Sequence, residues 1–169
     1  MKKADINILK NEDVFDLIGS QWMLVTSGTA SSFNMMTASW GGIGWLWNRP
    51  VAFIFIRPER YTHELIECNE RLTLSFFPEE NRKALQICGK LSGRDTDKVS
   101  ASGLTPSPLE SGAMTFSQAR LVLDCRKLFK SDMKEADFLN RSIFERWYGP
   151  SNGLHTVYVA EIESVYTGD

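Results

Sequence analysis

The strongest constraint on the fold is a run of six apolar residues, Val51-Ala-Phe-Ile-Phe-Ile56, rich in aromatic and β-branched side chains. It follows the turn signal Asn48-Arg49-Pro50, and this combination predicts a well-buried strand. Two other segments, Ala119 to Lys130 and His155 to Tyr166, alternate apolar and polar residues and predict half-buried antiparallel strands. The chain is therefore expected to be mainly β, with about six strands and short peripheral helices.

Helix and loop signals separate the predicted strands. The helices are expected at Asn11 to Ile18 with Asn11 as cap, at Thr62 to Glu67, at Glu79 to Gly89, and in an insertion running from the caps Ser131 and Asp132 to Gly149-Pro150. Small polar residues predict a loop at Ser27 to Ser32. Gly103 to Gly112 is also predicted to be a loop, anchored by Leu104 and Leu109.

Length and charge limit the class of protein. With 169 residues, the chain is expected to form a single domain over residues 1–169. A formal net charge of −2 argues against a large nucleic-acid footprint, and no apolar window is long enough for a membrane span. The first residues, Met1-Lys2-Lys3-Ala4-Asp5, do not predict a signal peptide, so a cytoplasmic protein is expected.

The cysteines and histidines predict neither disulfides nor a metal site. Cys68, Cys88 and Cys125 are widely spaced without a Cys-x-x-Cys pair, so we expect them to be reduced and mostly buried. The only histidines, His63 and His155, do not provide zinc-ligand spacing. The sequence also lacks a Walker motif, a complete dinucleotide fingerprint and a Gly-x-Ser-x-Gly elbow, which argues against hydrolase and Rossmann assignments.

The stretch Asn34-Met-Met-Thr-Ala-Ser-Trp-Gly-Gly42 combines hydroxyls, an amide, an indole and two glycines. In an extended backbone, Thr37 and Ser39 would point to one face, and the opposite face would carry Met36, Ala38 and Trp40. The glycines would allow close approach to a flat ligand. The structural alternative is a strand that ends in a turn, with small residues filling a tight corner.

Two later segments combine hydroxyls with cations. Arg57-Pro-Glu-Arg-Tyr-Thr62 follows the buried strand, and guanidinium groups beside a helix start are suited to binding a phosphate. Leu91-Ser-Gly-Arg-Asp-Thr-Asp-Lys98 is the second candidate. The alternatives are a solvated loop with ion pairs to neighbouring glutamates for the first, and a helix capped by Asp95 with Lys98 exposed for the second.

Together these segments supply what a flavin mononucleotide site needs. Cations and hydroxyls suit the 5′-phosphate, and backbone amides and apolar walls suit the isoalloxazine ring. Trp40 and the Gly41-Gly42 backbone would face the ring.

Four ordered motifs resemble the flavin reductase-like family, which includes the flavoredoxins. They are Asn34-x-Met-Thr-Ala-Ser-Trp-Gly41, Arg57-Pro-x-Arg-Tyr-Thr62, Ser92-Gly-Arg-Asp-x-Asp-Lys98 and His155-x-x-Tyr-Val-x-Glu161. The resemblance extends from about Trp22 to Tyr166. It implies an FMN-binding split β-barrel of Greek-key type, a homodimer with the flavin near the subunit interface, and electron transfer from NADH, NADPH or a redox partner protein.

The resemblance also implies a set of site residues. The flavin would be lined by Asn34, Met36, Thr37, Ala38, Ser39 and Trp40. Phosphate or ribityl oxygens would be contacted by Arg57, Arg60 and Thr62, with support from Ser92 and Lys98. Tyr61, in the same motif, would also belong to the cofactor site. His155 matches a histidine near the reactive flavin face, where it would orient a nicotinamide or steady charge on the reduced flavin. The alternative for His155 is a strand-start histidine bonded to a loop.

Two functions are consistent with this resemblance. The first is an NAD(P)H-dependent flavin reductase that passes electrons through bound FMN. The second is a flavoredoxin-type electron carrier, reduced by a protein partner without nicotinamide turnover. The family has no dependable sequence signature for the electron donor. The segment Lys130 to Pro150 is a candidate cover for the open face of the flavin.

Overall fold

The computed structural model describes residues 1–149 and 153–168. Its strands are β1 (Lys2–Ala4), β2 (Met23–Thr29), β3 (Ser32–Ala38), β4 (Gly41–Leu46), β5 (Arg49–Ile56), β6 (Arg71–Phe76), β7 (Pro106–Pro108), β8 (Met114–Phe116), β9 (Leu121–Asp132) and β10 (Thr156–Thr167). The α-helices are α1 (Tyr61–Cys68), α2 (Arg82–Lys90), α3 (Lys98–Ser102) and α4 (Arg141–Trp147). Shorter helical segments are Ile6–Asn11, Asp16–Ser20, Glu79–Asn81 and Glu135–Asp137. The expected count of about six strands was too low.

The main sheet has eight antiparallel strands in the order β3-β2-β6-β9-β10-β5-β4, with β1 paired to β10. Strands β3 and β4 are separated only by Ser39 and Trp40, yet they lie at opposite ends of this order. The sheet must therefore curve until its two edges approach each other at Ser39 and Trp40. Register shifts in the pairing of β10 with β9, at Val159/Ala160 and Ile162/Ser164, bend these long strands.

The curved sheet is buried on both faces near its centre. Its interior is filled by side chains from β5, β6, β9 and β10, including Ile54, Ile56, Leu72, Leu74, Phe76, Leu121, Leu123 and Tyr158. A second cluster packs α2 and the β7–β8 pair against the outside, with Leu24, Met35, Leu85, Phe116 and Val122 buried. Burial on both faces explains the nearly continuous apolar run Val51 to Ile56 in β5.

Two predicted loops are shorter than expected. β2 continues through Ser27 to Thr29 and pairs with β3, so only Ala30 and Ser31 form the turn. The hairpin between β4 and β5 turns at Trp47 and Asn48, whose φ values of 52° and 57° match a two-residue type I′ turn. β5 therefore begins at Arg49, inside the segment predicted as the turn. Cross-strand pairing overrides the local turn composition in both places.

Several helix boundaries also differ from the prediction. Asp13, rather than Asn11, caps the helical segment that ends at Ser20, because its carboxylate accepts from the Phe15 and Asp16 amides at 3.0 and 3.3 Å. Helix α2 continues past Gly89 to Lys90. Ser131 and Asp132 extend β9, and α4 is capped by Asn140. Pro150, predicted with Gly149 to end the insertion, lies outside the described residues.

The segment from Gly103 to Gly112 is not a plain loop, because Pro106–Pro108 pairs with β8. Leu104 and Leu109 are buried and anchor it, as predicted. All three cysteines are free, with Cys88 and Cys125 buried and Cys68 exposed. None of the helices within the described ranges has the length and apolar character needed to cross a bilayer.

Candidate functional site

A cleft opens where the outer edge of β3 approaches the end of β5 and the start of β10. We call it the β3 cleft, and its volume is about 230 Å³. It is lined by Met36, Thr37, Ala38, Ser39, Trp40, Phe55, Arg57, Arg60 and His155. The volume lies just below the usual range for small-molecule pockets, so a nucleotide-sized ligand would extend beyond it.

Strand β3 supplies the backbone wall of the β3 cleft. Within the described sheet it pairs only with β2, so its other edge has no strand partner for its amide and carbonyl groups. Thr37 is held by helix α2, because its hydroxyl donates to the Leu85 carbonyl at 2.5 Å. Ser39 and Trp40 follow at the point where the two sheet edges meet. The predicted residues Met36 to Trp40 therefore lie together along one wall.

Two cations converge at the carboxyl end of α2. Lys98 Nζ donates to the Met35 carbonyl at 2.8 Å and to the Cys88 carbonyl at 3.1 Å, and the residue is only 4% exposed. Arg60 Nη2 donates to the same Cys88 carbonyl at 3.3 Å. The negative end of the helix dipole stabilises both charges. Lys98 is thus buried, contrary to the alternative of an exposed lysine.

These two cations have no carboxylate partner among the described residues. Burial, with a further contribution from Arg60, lowers the pKa of Lys98 to about 8. Burial also lowers the pKa of the Arg60 guanidinium. Both pKa values are lowered because burial disfavours the charged forms, and no carboxylate among the described residues offers compensating charge. An anion bound beside Arg60 and Lys98 would supply that compensation.

Asn34 and Thr62 do not line the β3 cleft. They are buried, and Asn34 Nδ2 donates to the Thr62 hydroxyl at 2.9 Å, which ties β3 to α1. Gly93 packs directly on this amide, because a Cβ on Gly93 would lie 2.2 Å from Asn34 Oδ1. The three residues hold the strand, the helix and the Ser92–Lys98 segment in fixed relation beside the cations.

Gly93→Ala is expected to destabilise the fold by about 1–3 kcal/mol, because the added methyl group would overlap the Asn34 amide. Urea unfolding measures this change. Gly19→Ala is the matched control, since a Cβ there would meet nothing within 4 Å. Equal stability of the two variants would show that the Ser92–Lys98 segment can shift without cost.

Tyr61, Ser92 and Arg94 lie outside the β3 cleft. The Arg94 guanidinium pairs with Glu64 and lies 5.2 Å from the Tyr61 ring centroid. The Ser92 hydroxyl accepts from the Arg94 amide at 3.2 Å. Glu64, which the solvated-loop alternative assigned to the arginines of the first cationic segment, therefore pairs instead with Arg94 of the second segment.

Helix α3 is capped differently from the prediction. Asp97, rather than Asp95, is the cap, because its carboxylate accepts from the Val99 and Ser100 amides at 3.0 and 3.2 Å.

The other end of the β3 cleft is covered by the segment 141–149. Arg57 Nη2 donates to the Trp147 carbonyl at 2.9 Å, and its guanidinium lies 5.4 Å from the Tyr148 ring centroid. Trp147 packs edge-on against Trp40 with ring centroids 5.1 Å apart. Arg57 is therefore engaged with this segment rather than with the Arg60–Lys98 pair.

His155 is 7% exposed and shares a 2.9 Å hydrogen bond between its Nδ1 and the Tyr148 hydroxyl. Trp40, Phe55 and Tyr148 surround the imidazole with ring centroids 5.4, 6.5 and 5.5 Å away. Burial, and then the charge of Arg57, lowers the pKa of His155 to about 4. His155 is thus a neutral strand-start histidine bonded to a loop, and it also lines the cleft.

His155 is expected to remain neutral from pH 8 down to about pH 5, which NMR titration of its imidazole measures. Its pKa is lower in the folded state than the ordinary 6.5, so the unfolded chain takes up this proton first. The free energy of unfolding should therefore fall as pH decreases from 6.5 towards 4. His155→Gln should lack this fall. Titration near 6.5 would contradict the burial argument.

Phe55, Tyr148 and the Cys88 carbonyl were missed by the sequence analysis. Phe55 lies on the half-buried face of β5, while its neighbours Ile54 and Ile56 are fully buried, so the run looked uniformly apolar. A backbone carbonyl at a helix end leaves no trace in side-chain composition. Tyr148 approaches His155 only because α4 folds back over the cleft.

Metal-ligating side chains do not cluster in the described ranges. Residues 1–149 and 153–168 contain no group of three or more histidine, cysteine, aspartate or glutamate side chains placed to hold a metal ion.

The family model described as flavin reductase like domain matches residues 15–169. Flavoredoxin from Methanosarcina acetivorans is similar in structure, with a TM-score of 0.69 and 20% identity over 88% of this chain and 69% of that chain. An FMN-binding protein from Thermus thermophilus has a TM-score of 0.66 and 20% identity, over 86% of this chain and 69% of that chain. An NADH:FAD oxidoreductase from Streptomyces globisporus has a TM-score of 0.65 and 16% identity, over 87% of this chain and 75% of that chain.

At these identities the likeness to solved structures shows the fold alone. The predicted fold class, a mainly β split barrel with short helices, is confirmed by these neighbours and by the antiparallel sheet. No curated protein sequence matches the chain.

Proposed function

Because this chain belongs to the flavin reductase-like domain family, we propose that it binds FMN in the β3 cleft and acts as an NAD(P)H-dependent flavin reductase. The observation that carries the proposal is the pair of cations, Arg60 and Lys98, that meet at the Cys88 carbonyl with no carboxylate partner in residues 1–149 and 153–168. Such a pair is matched by a phosphate group, which accepts charge-assisted hydrogen bonds. The ligand is therefore expected to carry a phosphate.

The rest of the β3 cleft fits a flavin ring. The free edge of β3 presents alternating amide and carbonyl groups, which match the donor and acceptor edge of a pyrimidine. Trp40, Phe55 and His155 supply flat, largely apolar walls. Bound FMN would supply the redox chemistry, and the protein would position it and exclude water.

The residues around the cleft have separate roles in this proposal. Arg60 and Lys98 bind the phosphate, and the segment Met36 to Ser39 binds the ring and ribityl chain. His155, held neutral, donates or accepts a single hydrogen bond at the ring face and is oriented by Tyr148. Asn34 and Thr62 are positioning residues, because they fix β3 against α1.

One observation favours the second function, a flavoredoxin-type carrier reduced by a protein partner. Trp147 packs on Trp40 and Tyr148 bonds to His155, so the segment 141–149 covers the His155 end of the cleft and would restrict the access of a nicotinamide from that side. The similar structures include both kinds of protein, an NADH:FAD oxidoreductase and flavoredoxins.

Anaerobic stopped-flow mixing of FMN-loaded protein with NADH and with NADPH separates the two functions. A reductase should bleach the flavin absorbance with at least one donor, faster than free FMN does. If neither donor bleaches it, while chemically reduced protein still transfers electrons to an acceptor, the carrier function is supported. Protein that stays colourless after FMN is added and excess removed would contradict both.

We also propose that the chain acts as a homodimer with the flavin near the interface. Supporting the dimer itself, β4 is the outer strand at the end of the sheet opposite β3, and its hairpin exposes Trp45 and also Trp47, which lies beside Phe129. Exposed aromatic clusters of this kind mark protein interfaces more often than isolated apolar residues do. Sedimentation equilibrium of wild type and Trp47→Lys tests this assembly, with the variant expected to shift towards monomer.

A further inference from the structure

A second cleft lies on the α2 side of the same strand. We call it the Trp22 cleft. Its volume is about 250 Å³, and it is lined by Trp22, Thr37, Ser39, Leu85, Gln86, Gly89 and Lys90. Thr37 and Ser39 line both clefts, so the two meet at the carboxyl end of β3. A molecule seated in the Trp22 cleft would be a direct neighbour of one seated in the β3 cleft.

Trp22 has an unusual backbone. Its φ is 70°, in the left-handed region where a bulky side chain is an outlier. Arg82 holds this conformation, because its Nη1 donates to the carbonyls of Ser20 and Gln21 at 2.6 and 2.9 Å. The same guanidinium lies 3.4 Å from the Trp22 ring centroid. Backbone outliers maintained in this way cluster at ligand sites, and the result here is a fixed aromatic wall.

Helix α2 contributes two polar side chains to the Trp22 cleft. Gln86 and Lys90 are exposed and four residues apart on α2, so they lie on one face of the helix. Within the described part of the chain, neither side chain has a hydrogen bond or an ion pair. Leu85 and Gly89, on the same helix, supply apolar surface. The cleft therefore combines an aromatic wall, an amide and a cation.

We infer that the Trp22 cleft binds the adenylate half of a dinucleotide. Trp22 stacks on the adenine ring, as aromatic side chains do with bases. The Gln86 carboxamide is suited to pair with the amino and ring nitrogens of adenine, and the Lys90 ammonium to contact a phosphate. This inference rests on the proposed function, because a redox dinucleotide then has its reactive half at the β3 cleft.

Two dinucleotides share this chemistry. One is the hydride donor, NADH or NADPH, whose nicotinamide would approach the β3 cleft past Ser39. The other is FAD, whose flavin would replace FMN in the β3 cleft. Adenosine monophosphate carries the shared half alone, so it is the probe for the site.

Calorimetric titration of adenosine monophosphate into the FMN-saturated protein tests the inference. Binding is expected, and Lys90→Glu should weaken it about tenfold or more, because a charge-assisted contact becomes repulsive. Lys83→Glu is the matched control, since it reverses an exposed lysine on the same helix outside the cleft lining. It should change the affinity by less than about twofold, because salt screens more distant charges.

Trp22→Leu tests the stacking contact and should also lower the affinity for adenosine monophosphate about tenfold. Gln86→Ala provides a second variant on an exposed position, in case Trp22→Leu fails to fold. FMN affinity should be unchanged in Lys90→Glu. A comparable loss of FMN affinity would overturn the inference, because the Trp22 cleft would then belong to the FMN site.

Further titrations distinguish NADH or NADPH from FAD as the bound dinucleotide, and distinguish the adenylate site from the proposed FMN function. If adenosine monophosphate competes with NADH or NADPH, the Trp22 cleft binds the hydride donor. If FAD binds more tightly than FMN, and Lys90→Glu removes this difference, the cleft binds the adenylate half of FAD. Failure of adenosine monophosphate to bind at millimolar concentration overturns the inference whatever FMN does. Lys90-dependent binding to a protein that takes up no FMN would support the adenylate site and reject the proposed flavin function.

Discussion

Arg60→Ala is expected to weaken FMN binding about tenfold or more while leaving riboflavin binding nearly unchanged. The guanidinium lies beside Lys98 at the Cys88 carbonyl, where the proposed phosphate completes the charge balance. Charge-assisted hydrogen bonds of this kind contribute about 1.5–3 kcal/mol each. Riboflavin lacks the phosphate and loses no such contact. Dissociation constants from flavin fluorescence quenching measure both ligands.

Arg94→Ala is the matched control for this substitution. Arg94 also belongs to the predicted cationic segments, but it pairs with Glu64 and packs on Tyr61 outside the β3 cleft. Its removal should change FMN affinity by less than about twofold, since exposed ion pairs contribute little. If Arg60→Ala weakens FMN and riboflavin equally, the phosphate does not lie at Arg60.

Lys98→Met is expected to reduce FMN affinity about tenfold or more at pH 7, and to remove the pH dependence that Lys98 gives to wild type. The pKa of Lys98 in the unliganded protein is about 8. Below that pH the ammonium attracts the phosphate, and above it the amine is neutral. Wild-type affinity should therefore fall as pH rises through about 8. Titrations between pH 6.5 and 9.5 measure this, and a pH-dependent loss that persists in Lys98→Met would contradict the assignment.

The lowered pKa of Lys98 also predicts how the free energy of unfolding of the unliganded protein depends on pH. Its folded pKa of about 8 lies below the ordinary 10.5, so between these values the unfolded chain binds more protons than the folded one. The contribution of Lys98 to the free energy of unfolding should therefore rise with pH across this window. Urea unfolding of wild type should show this rise, and Lys98→Met should not.

The strands were the most predictable part of the fold because their signals are local. The run Val51 to Ile56 and the alternation from Ala119 and His155 depend only on side-chain order, and the structure places β5, β9 and β10 there. Boundaries were less predictable, because several residues compete for one cap. Asn11 and Asp13 are both suitable helix caps by residue type. Only the hydrogen bonds from the Phe15 and Asp16 amides show that Asp13 is the cap.

The contacts of the site residues could not be predicted from local sequence patterns, because they depend on how distant segments pack together. Lys98 was predicted either to support an anion or to be exposed, and its burial depends on the carbonyl at the end of α2. Thr62 was predicted to contact the ligand, yet it bonds to Asn34 because α1 packs against β3. Sheet curvature brings His155 to Trp40 across more than a hundred residues. Local patterns do not encode such proximity, and the resemblance between ordered motifs indicated it instead.

Titration of the flavin-free protein with FMN tests whether the β3 cleft binds one FMN through Arg60 and Lys98. Visible difference spectra should show saturation at one FMN per chain, with tryptophan fluorescence quenched because Trp40 lines the cleft. The Arg60→Ala, Lys98→Met double variant should lose most of this affinity. Absence of saturation in wild type, or an unchanged affinity in the double variant, would show that the β3 cleft does not bind FMN through Arg60 and Lys98.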